Sequence, residues 1–252
     1  MEENKRDFII TPIIDTPCRP LFCNNVSFDE WILENLHKRN KDNPFRVVLL
    51  GQPGVGKSTT VEAVFSLNNY VSAIVEGTTD IVEKVFPMRD GFSLSIYDMP
   101  ILNNDVEKNL EYEKMCKKIL PKCDVIVYVI DAHSKNLDED CRILKEFVLP
   151  ICNTNSLRDN LILAFNKIDT IGETKNPNDP ELRWNVVKNC PTEKLKNTIK
   201  IKLYYFVEKL IDEQLVGYKE SIKAEQIAFY SAVYNYNIVD LLRAITKIRV
   251  LK

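Results

Sequence analysis

Eight consecutive residues, Gly51-Gln52-Pro53-Gly54-Val55-Gly56-Lys57-Ser58, have the types and spacing needed to hold a chain of phosphates. They fit the pattern G-x-x-x-x-G-K-[ST] in full. Glycines let the backbone curl until successive N–H groups point into one cup. Lys57 can reach β- and γ-phosphates, and the Ser58 hydroxyl can bind Mg²⁺. Gln52, Pro53, Val55 and Thr59 complete the stretch expected to touch the nucleotide. The pattern needs a strand before it and a helix after it. Phe45-Arg46-Val47-Val48-Leu49-Leu50 is an apolar run, and a helical pattern begins near Lys57 with Val61, Val64 and Phe65 inward. That helix aims its positive end at the bound anion.

Three further groups can complete such a site. Asp98 follows the alternating run Phe92 to Tyr97, where a carboxylate can hold Mg²⁺ through a water. Asn166-Lys167-Ile168-Asp169 follows the apolar run Leu161 to Phe165. Asp169 can accept from the N1–H and N2–H₂ edge of guanine, which adenine does not offer. Lys167 can lie over the base, and Asn166 can brace the phosphate loop. Ser231-Ala232-Val233 follows Ile227 to Tyr230, and a backbone N–H there can meet the guanine O6.

The elements between these groups alternate. Ile81–Met88 and Phe92–Tyr97 read as strands around the turn Arg89-Asp90-Gly91. Asp105–Leu120 reads as a polar-rich helix, and Cys123–Ile130 as a strand covered on both faces. Leu137–Val148 is helical, Leu161–Phe165 is a buried strand, and Glu193 to about Leu215 is a helix. Ile227–Tyr230 is a short strand, and Ile238 to Ile248 forms a last amphipathic helix. Thr170–Pro191 is long for a loop in a compact domain, which points to function or added structure. The expected fold is therefore α/β: a mainly parallel sheet with one antiparallel edge strand and helices on both faces. Ligands in such folds sit at the carboxyl ends of the strands, where the candidate residues fall. Residues 1–44 are read as an arm and a helix preceding a domain over 45–252. In the arm Ser27 and Glu30 make a capping box ahead of Phe28, Trp31, Ile32 and Leu36.

Composition removes other classes. The chain has 252 residues, 34 Lys+Arg against 36 Asp+Glu, and a net charge of −2. That balance carries no electrostatic footprint for nucleic acid. Cys18, Cys23, Cys116, Cys123, Cys141, Cys152 and Cys190 form no C-x-x-C pair, so zinc or a disulfide framework is not expected. No apolar stretch approaches the roughly 18 residues of a membrane span. The expectation is a cytoplasmic protein.

Together the motifs resemble the G boxes of Ras-like GTPases. GQPGVGKS is the first box, NKID the fourth and SAV the fifth. Glu76-Gly77-Thr78-Thr79-Asp80 resembles the second box of the TrmE/Era-like branch. That resemblance implies that Thr79 closes on Mg²⁺, with Thr78 as the alternative, and that Lys57 and Thr79 serve catalysis. Glu111-Tyr112, Cys123-Asp124-Val125-Ile126, Asp131-Ala132 and the stretch from Cys190-Pro191-Thr192 through Asn197-Thr198-Ile199-Lys200 to Phe206 are similar to the YfjP-type GTPases of bacterial prophages. The resemblance implies GTP and GDP as ligands, with Mg²⁺.

The chain also departs from the pattern. The third box, normally D-x-x-G, reads Asp98-Met99-Pro100-Ile101. Leu102 stands where Ras-like enzymes carry a water-orienting Gln, and Gly54 where potassium-activated relatives carry Asn. The resemblance then implies a molecular switch with slow intrinsic GTP hydrolysis, accelerated by self-association or a protein partner. A non-hydrolysing GTP-dependent interaction module is the alternative that Ile101 and Leu102 support. An ATPase is the other, and NKID argues against it.

Overall fold

Strand β5 (Val125–Asp131) shows why the apolar runs become central strands: Val125 to Ile130 is buried throughout. Alternate residues serve opposite faces. Ile126, Tyr128 and Ile130 belong to one core, and Val125, Val127 and Val129 to the other. A strand shared by two cores needs no polar face, so its sequence reads as continuous apolar residues. β1 (Phe45–Leu50) and β6 (Leu161–Asn166) follow the same rule.

The computed structural model describes residues 44–66, 73–76, 82–87, 93–99, 106–155, 157–172, 178–208, 210 and 226–247. The capping box and apolar stripe of the arm lie outside them, as do Gly77 to Asp80 and Pro100 to Asp105. Among the described residues, no helix is long and apolar enough to cross a membrane.

The remaining elements are α1 (Lys57–Ser66), β2 (Ala73–Glu76), β3 (Val82–Pro87), β4 (Ser93–Asp98), α2 (Val106–Ile119), α3 (Asp138–Ile143), α4 (Leu149–Thr154), β7 (Trp184–Asn185), β8 (Cys190–Pro191), α5 (Glu193–Val207), β9 (Ile227–Phe229) and α6 (Ile238–Lys247). The main sheet runs β2-β3-β4-β1-β5-β6-β9. Pairings β4·β1, β1·β5, β5·β6 and β6·β9 are parallel. β3 runs antiparallel to both its neighbours, giving the antiparallel edge that the Arg89-Asp90-Gly91 turn implied. β2 adds four residues outside it, a strand too short to announce itself by period. Val61, Ala63 and Val64 of α1 pack with one face of the sheet, together with Ile238, Leu241, Leu242, Ala244 and Ile245 of α6. Residues of α2, α3, α4 and α5 pack with the other. On that second face Phe165 stacks between Phe206 and Phe229, at 5.9 and 5.0 Å between ring centroids.

One expectation needs correction. The helix expected over Leu137–Val148 runs on to Thr154, through a wide π turn at Leu144–Val148. Pro150, in the first turn of α4, lacks the N–H that a regular helix would use and crowds the preceding carbonyls. A wider turn accommodates both. Thr170–Pro191 holds the added structure that its length implied. It contains the antiparallel ladder β7·β8, pairing Trp184 with Pro191 and Asn185 with Cys190. Thr192 then caps α5, its hydroxyl accepting from the Leu195 N–H at 3.3 Å.

Candidate functional site

All the motif residues that are described gather at the carboxyl ends of the parallel strands. Register shows it: Asp98 pairs with Leu49 near the start of the phosphate loop, and Asp131 pairs with Asn166. Asp98 is the last residue of β4 and Asn166 the last of β6, each one position inside its strand rather than beyond it.

The phosphate loop is held from behind. Gly51 has φ +138°, and a Cβ there would stand 2.2 Å from the Val129 carbonyl oxygen. Only glycine lets β1 turn this close to β5. A Cβ on Gly56, at φ +93°, would stand 2.4 Å from Asn166 Nδ2. A Cβ on Gly54 would meet nothing within 4 Å, so this part of the loop faces open space. Lys57 is buried, and its Nζ donates to the carbonyls of Gly51 at 2.9 Å and Gln52 at 3.1 Å. The ammonium is thus drawn across the loop mouth. Ser58 and Thr59 are exposed in the first turn of α1. Thr60 fastens that turn: its hydroxyl donates to the Gly56 carbonyl at 2.8 Å and lies 2.8 Å from the Tyr230 hydroxyl. The backward pressure on Gly51 and Gly56, the outward-facing Gly54 and the Lys57 ammonium fit a phosphate chain.

Asn166 joins the phosphate loop to the fifth box. Its Nδ2 donates to the Val55 carbonyl at 3.0 Å, and its Oδ1 accepts the Ala232 N–H at 3.0 Å. Both bonds are buried, and one amide bridges segments 66 residues or more apart. The Ala232 N–H is thereby engaged, so a guanine O6 would share that hydrogen with Asn166 rather than take it alone. Lys167 has left-handed backbone (φ 62°), and its Nζ pairs with Asp131 Oδ2 at 2.7 Å. Asp131 Oδ1 accepts the His133 N–H at 2.8 Å, and His133 Nδ1 lies 2.9 Å from the Thr170 hydroxyl. The Lys167–Asp131 pair is partly exposed, so it contributes on the order of 1 kcal/mol at most and acts mainly by aligning the stem of Lys167. Asp169 follows in the short turn Ile168–Thr170, and Val233 is exposed beside Ala232. Thr78, Thr79, Ile101 and Leu102 lie outside the described residues, as does the side chain of Asp98.

Sequence reasoning missed three features of this end of the molecule. Asp131 was legible in principle, because it ends a wholly apolar strand one place from the strand of Asn166. Asp140 in α3 is 1% exposed. It accepts from Gln52 Nε2 at 2.7 Å and from the Tyr128 hydroxyl at 3.0 Å. Burial pushes its carboxyl up to about 6, the two hydrogen bonds lower it, and the charges of Glu139 and Asp131 add to the rise. The partners Gln52 and Asp140 are 88 residues apart, so nothing local marks them. The third feature is an aromatic cluster around Trp184, behind Ser231–Tyr236.

The family model for the Gtr1/RagA G protein conserved region matches residues 46–230, nearly three-quarters of the chain. The chain belongs to the Gtr1/RagA G protein conserved-region family. This makes it a member of the GTP-binding GTPases. Among curated relatives it is similar to GTPase Der of Persephonella marina, 25% identical over 175 residues, covering 67% of this chain and 34% of Der. It is also similar to the tRNA modification GTPase MnmE of Ureaplasma parvum serovar 3, 28% identical over 190 residues, covering 73% of this chain and 39% of MnmE. The chain thus spans little more than a third of the length of these relatives. Among solved structures, Toc33 of Arabidopsis thaliana in complex with Mg²⁺ and GMPPNP matches with a TM-score of 0.52 at 20% identity, over 91% of this chain and 95% of Toc33. Era of Aquifex aeolicus, bound to GDP and AlF₄⁻, matches with a TM-score of 0.52 at 19% identity, over 82% of this chain and 57% of Era. At these identities the likeness establishes the G-domain fold alone.

Proposed function

We propose that this G-family protein is a Mg²⁺-dependent GTP hydrolase of slow intrinsic turnover that works as a molecular switch. The observation that carries the reading is the Asn166 amide, which ties the phosphate loop at Val55 to the fifth box at Ala232. One side chain thereby sets the distance between the phosphate end and the base end of a nucleotide. Gly51 to Thr59 cradle the phosphates, Lys57 neutralises their charge, and Ser58, Thr79 and Asp98 serve Mg²⁺. With Mg²⁺ held there, these residues would bring a positive charge that neutralises the phosphates. Lys167, Asp169 and Ser231 to Val233 receive guanine. Thr79 would close on Mg²⁺ and, with Lys57, would serve the reaction.

Slow turnover follows from Ile101 and Leu102. Ile lacks glycine's freedom to flip, and Leu cannot orient an attacking water. A protein partner or a second copy then supplies what is missing. Toc33 offers a parallel, since dimerisation is described as important for the GTPase activity of the translocon components atToc33 and psToc159. The residues Glu111-Tyr112, Asp131-Ala132 and Cys190-Pro191-Thr192 support a YfjP-type assignment within the family. The same Ile101 and Leu102 support a second reading, a GTP-dependent interaction module without hydrolysis.

Single-turnover hydrolysis of GTP with Mg²⁺, measured against protein concentration, separates these readings. A slow rate that rises with concentration or with a cellular partner, and is lost in Lys57→Ala, is the expected result. GTP binding with no turnover under any of these conditions selects the interaction module. A fast, concentration-independent rate contradicts the slow-switch reading.

A further inference from the structure

The segment between Thr170 and Thr192 reaches both loops assigned to guanine. At one end it presses on the helical turn that follows Asp169. A Cβ on Gly172 would stand 1.9 Å from the Leu182 carbonyl oxygen. At the other end β7 and β8 lie behind Ser231–Tyr236. The Trp184 ring stacks on Tyr234 at 5.2 Å and 22°, and meets Tyr236 edge-on at 5.0 Å and 85°. Trp184 Nε1 donates to Asn189 Oδ1 at 3.4 Å, and Asn189 Nδ2 donates to the Tyr234 carbonyl at 2.9 Å. Asn189 is buried, and its left-handed backbone (φ 48°) suits Asn better than most residues.

The loop these residues support is itself closed. Ser231 and Tyr236 exchange two backbone hydrogen bonds of 3.0 Å, and the Tyr234 N–H donates to the Ser231 hydroxyl at 3.3 Å. A ladder of two-residue strands has little stability of its own, so hairpin and loop order each other. The phosphate loop leans on other groups: the Val129 carbonyl, Asn166 and Asp140.

We propose that Trp184 and Asn189 are positioning residues: from the β7–β8 hairpin they hold Ser231–Tyr236 in the shape that admits guanine, so that the hairpin sets affinity for the base and not for the phosphates. The inference rests on the guanine assignment of this site. It deepens that assignment by giving the inserted hairpin a part in base selection.

The test is equilibrium binding of GDP and of ADP to the full chain, wild type and variants, with hydrogen exchange followed across 230–237 and 51–58. Trp184→Ala removes the stack and the indole donor. Its affinity for GDP should fall about tenfold or more, as the loss of one aromatic contact and one hydrogen bond implies. ADP binding should stay within about twofold, and exchange should rise across 230–237 but not across 51–58. Trp184→Phe keeps a ring and should lose less than about threefold in GDP affinity. Asn189→Gly suits the left-handed backbone and removes both side-chain hydrogen bonds while leaving the ring stack, so its loss should lie between these two. These two milder variants decide the matter if Trp184→Ala does not fold. An unchanged GDP-to-ADP preference in folded variants, or equal loss of both ligands, overturns the proposal. A wild-type protein that binds ADP as well as GDP instead overturns the guanine assignment beneath it.

Discussion

The proposed base end and the proposed phosphate end of the site are held by different physics. At the base end, side chains reach across the fold: Trp184 stacks on Tyr234, Asn189 bonds its carbonyl, and Lys167 pairs with Asp131. At the phosphate end the backbone does the shaping. Gly51 and Gly56 are held because a methyl group would collide with the Val129 carbonyl or Asn166, while Gly54 faces open space. A base is a flat, directional object, and a rigid frame of aromatic rings and amides suits it. A phosphate chain is met by N–H groups and a cation, which need a curled backbone more than packed side chains. Asn166 is the joint between the two, and Asp140, through Gln52, is a side-chain anchor on the phosphate loop.

Breaking the joint should have the largest effect. Asn166→Ala strands the Val55 carbonyl and the Ala232 N–H in a buried region and leaves a small cavity. At roughly 1–3 kcal/mol for each buried group left unsatisfied, the fold should lose about 4 kcal/mol. Urea unfolding of wild type and variant measures it. A loss below about 1 kcal/mol would mean that the two ends are held independently.

Asp140 sharpens the comparison through pH, with a smaller effect. Its carboxyl is raised from the usual range to about 6, chiefly by burial. The folded state therefore favours the protonated form. The stabilisation is full below the unfolded carboxyl's value near 4 and is lost as pH rises through about 6. Wild type should lose about 2 kcal/mol between pH 4 and pH 7 relative to Asp140→Asn, which has no such proton. Urea midpoints for both proteins across that interval give the difference. Parallel pH profiles would show that Asp140 does not titrate as the burial implies.

Much of this arrangement was legible in the sequence because the motif residues sit where apolar runs stop. Leu50 precedes Gly51, Phe165 precedes Asn166 and Tyr230 precedes Ser231, so strand ends and chemistry were found together. The doubly covered sheet was also legible, since β5 is apolar on both faces. What escaped lacks a local signature. β2 has four residues and each strand of the β7–β8 ladder only two, too few for a period of two to show. The π turn at Leu144–Val148 depends on one missing N–H at Pro150. The Gln52–Asp140 bond and the Trp184–Tyr234 stack join residues distant in sequence, and only the packed fold brings them together.

Under the proposed function, the site selects guanine at its base end while the phosphate end accepts any nucleotide. Competition binding with Asp169→Asn tests it most directly, using GDP, XDP and ADP against wild type. The substitution exchanges one acceptor for a donor, so it should weaken GDP and favour XDP, whose C2 oxygen can accept from the new amide. At one to two buried hydrogen bonds, the preference should move by about 10²-fold, with ADP binding unaltered. If GDP and XDP keep their wild-type order in a folded variant, Asp169 does not read the base and the account is wrong.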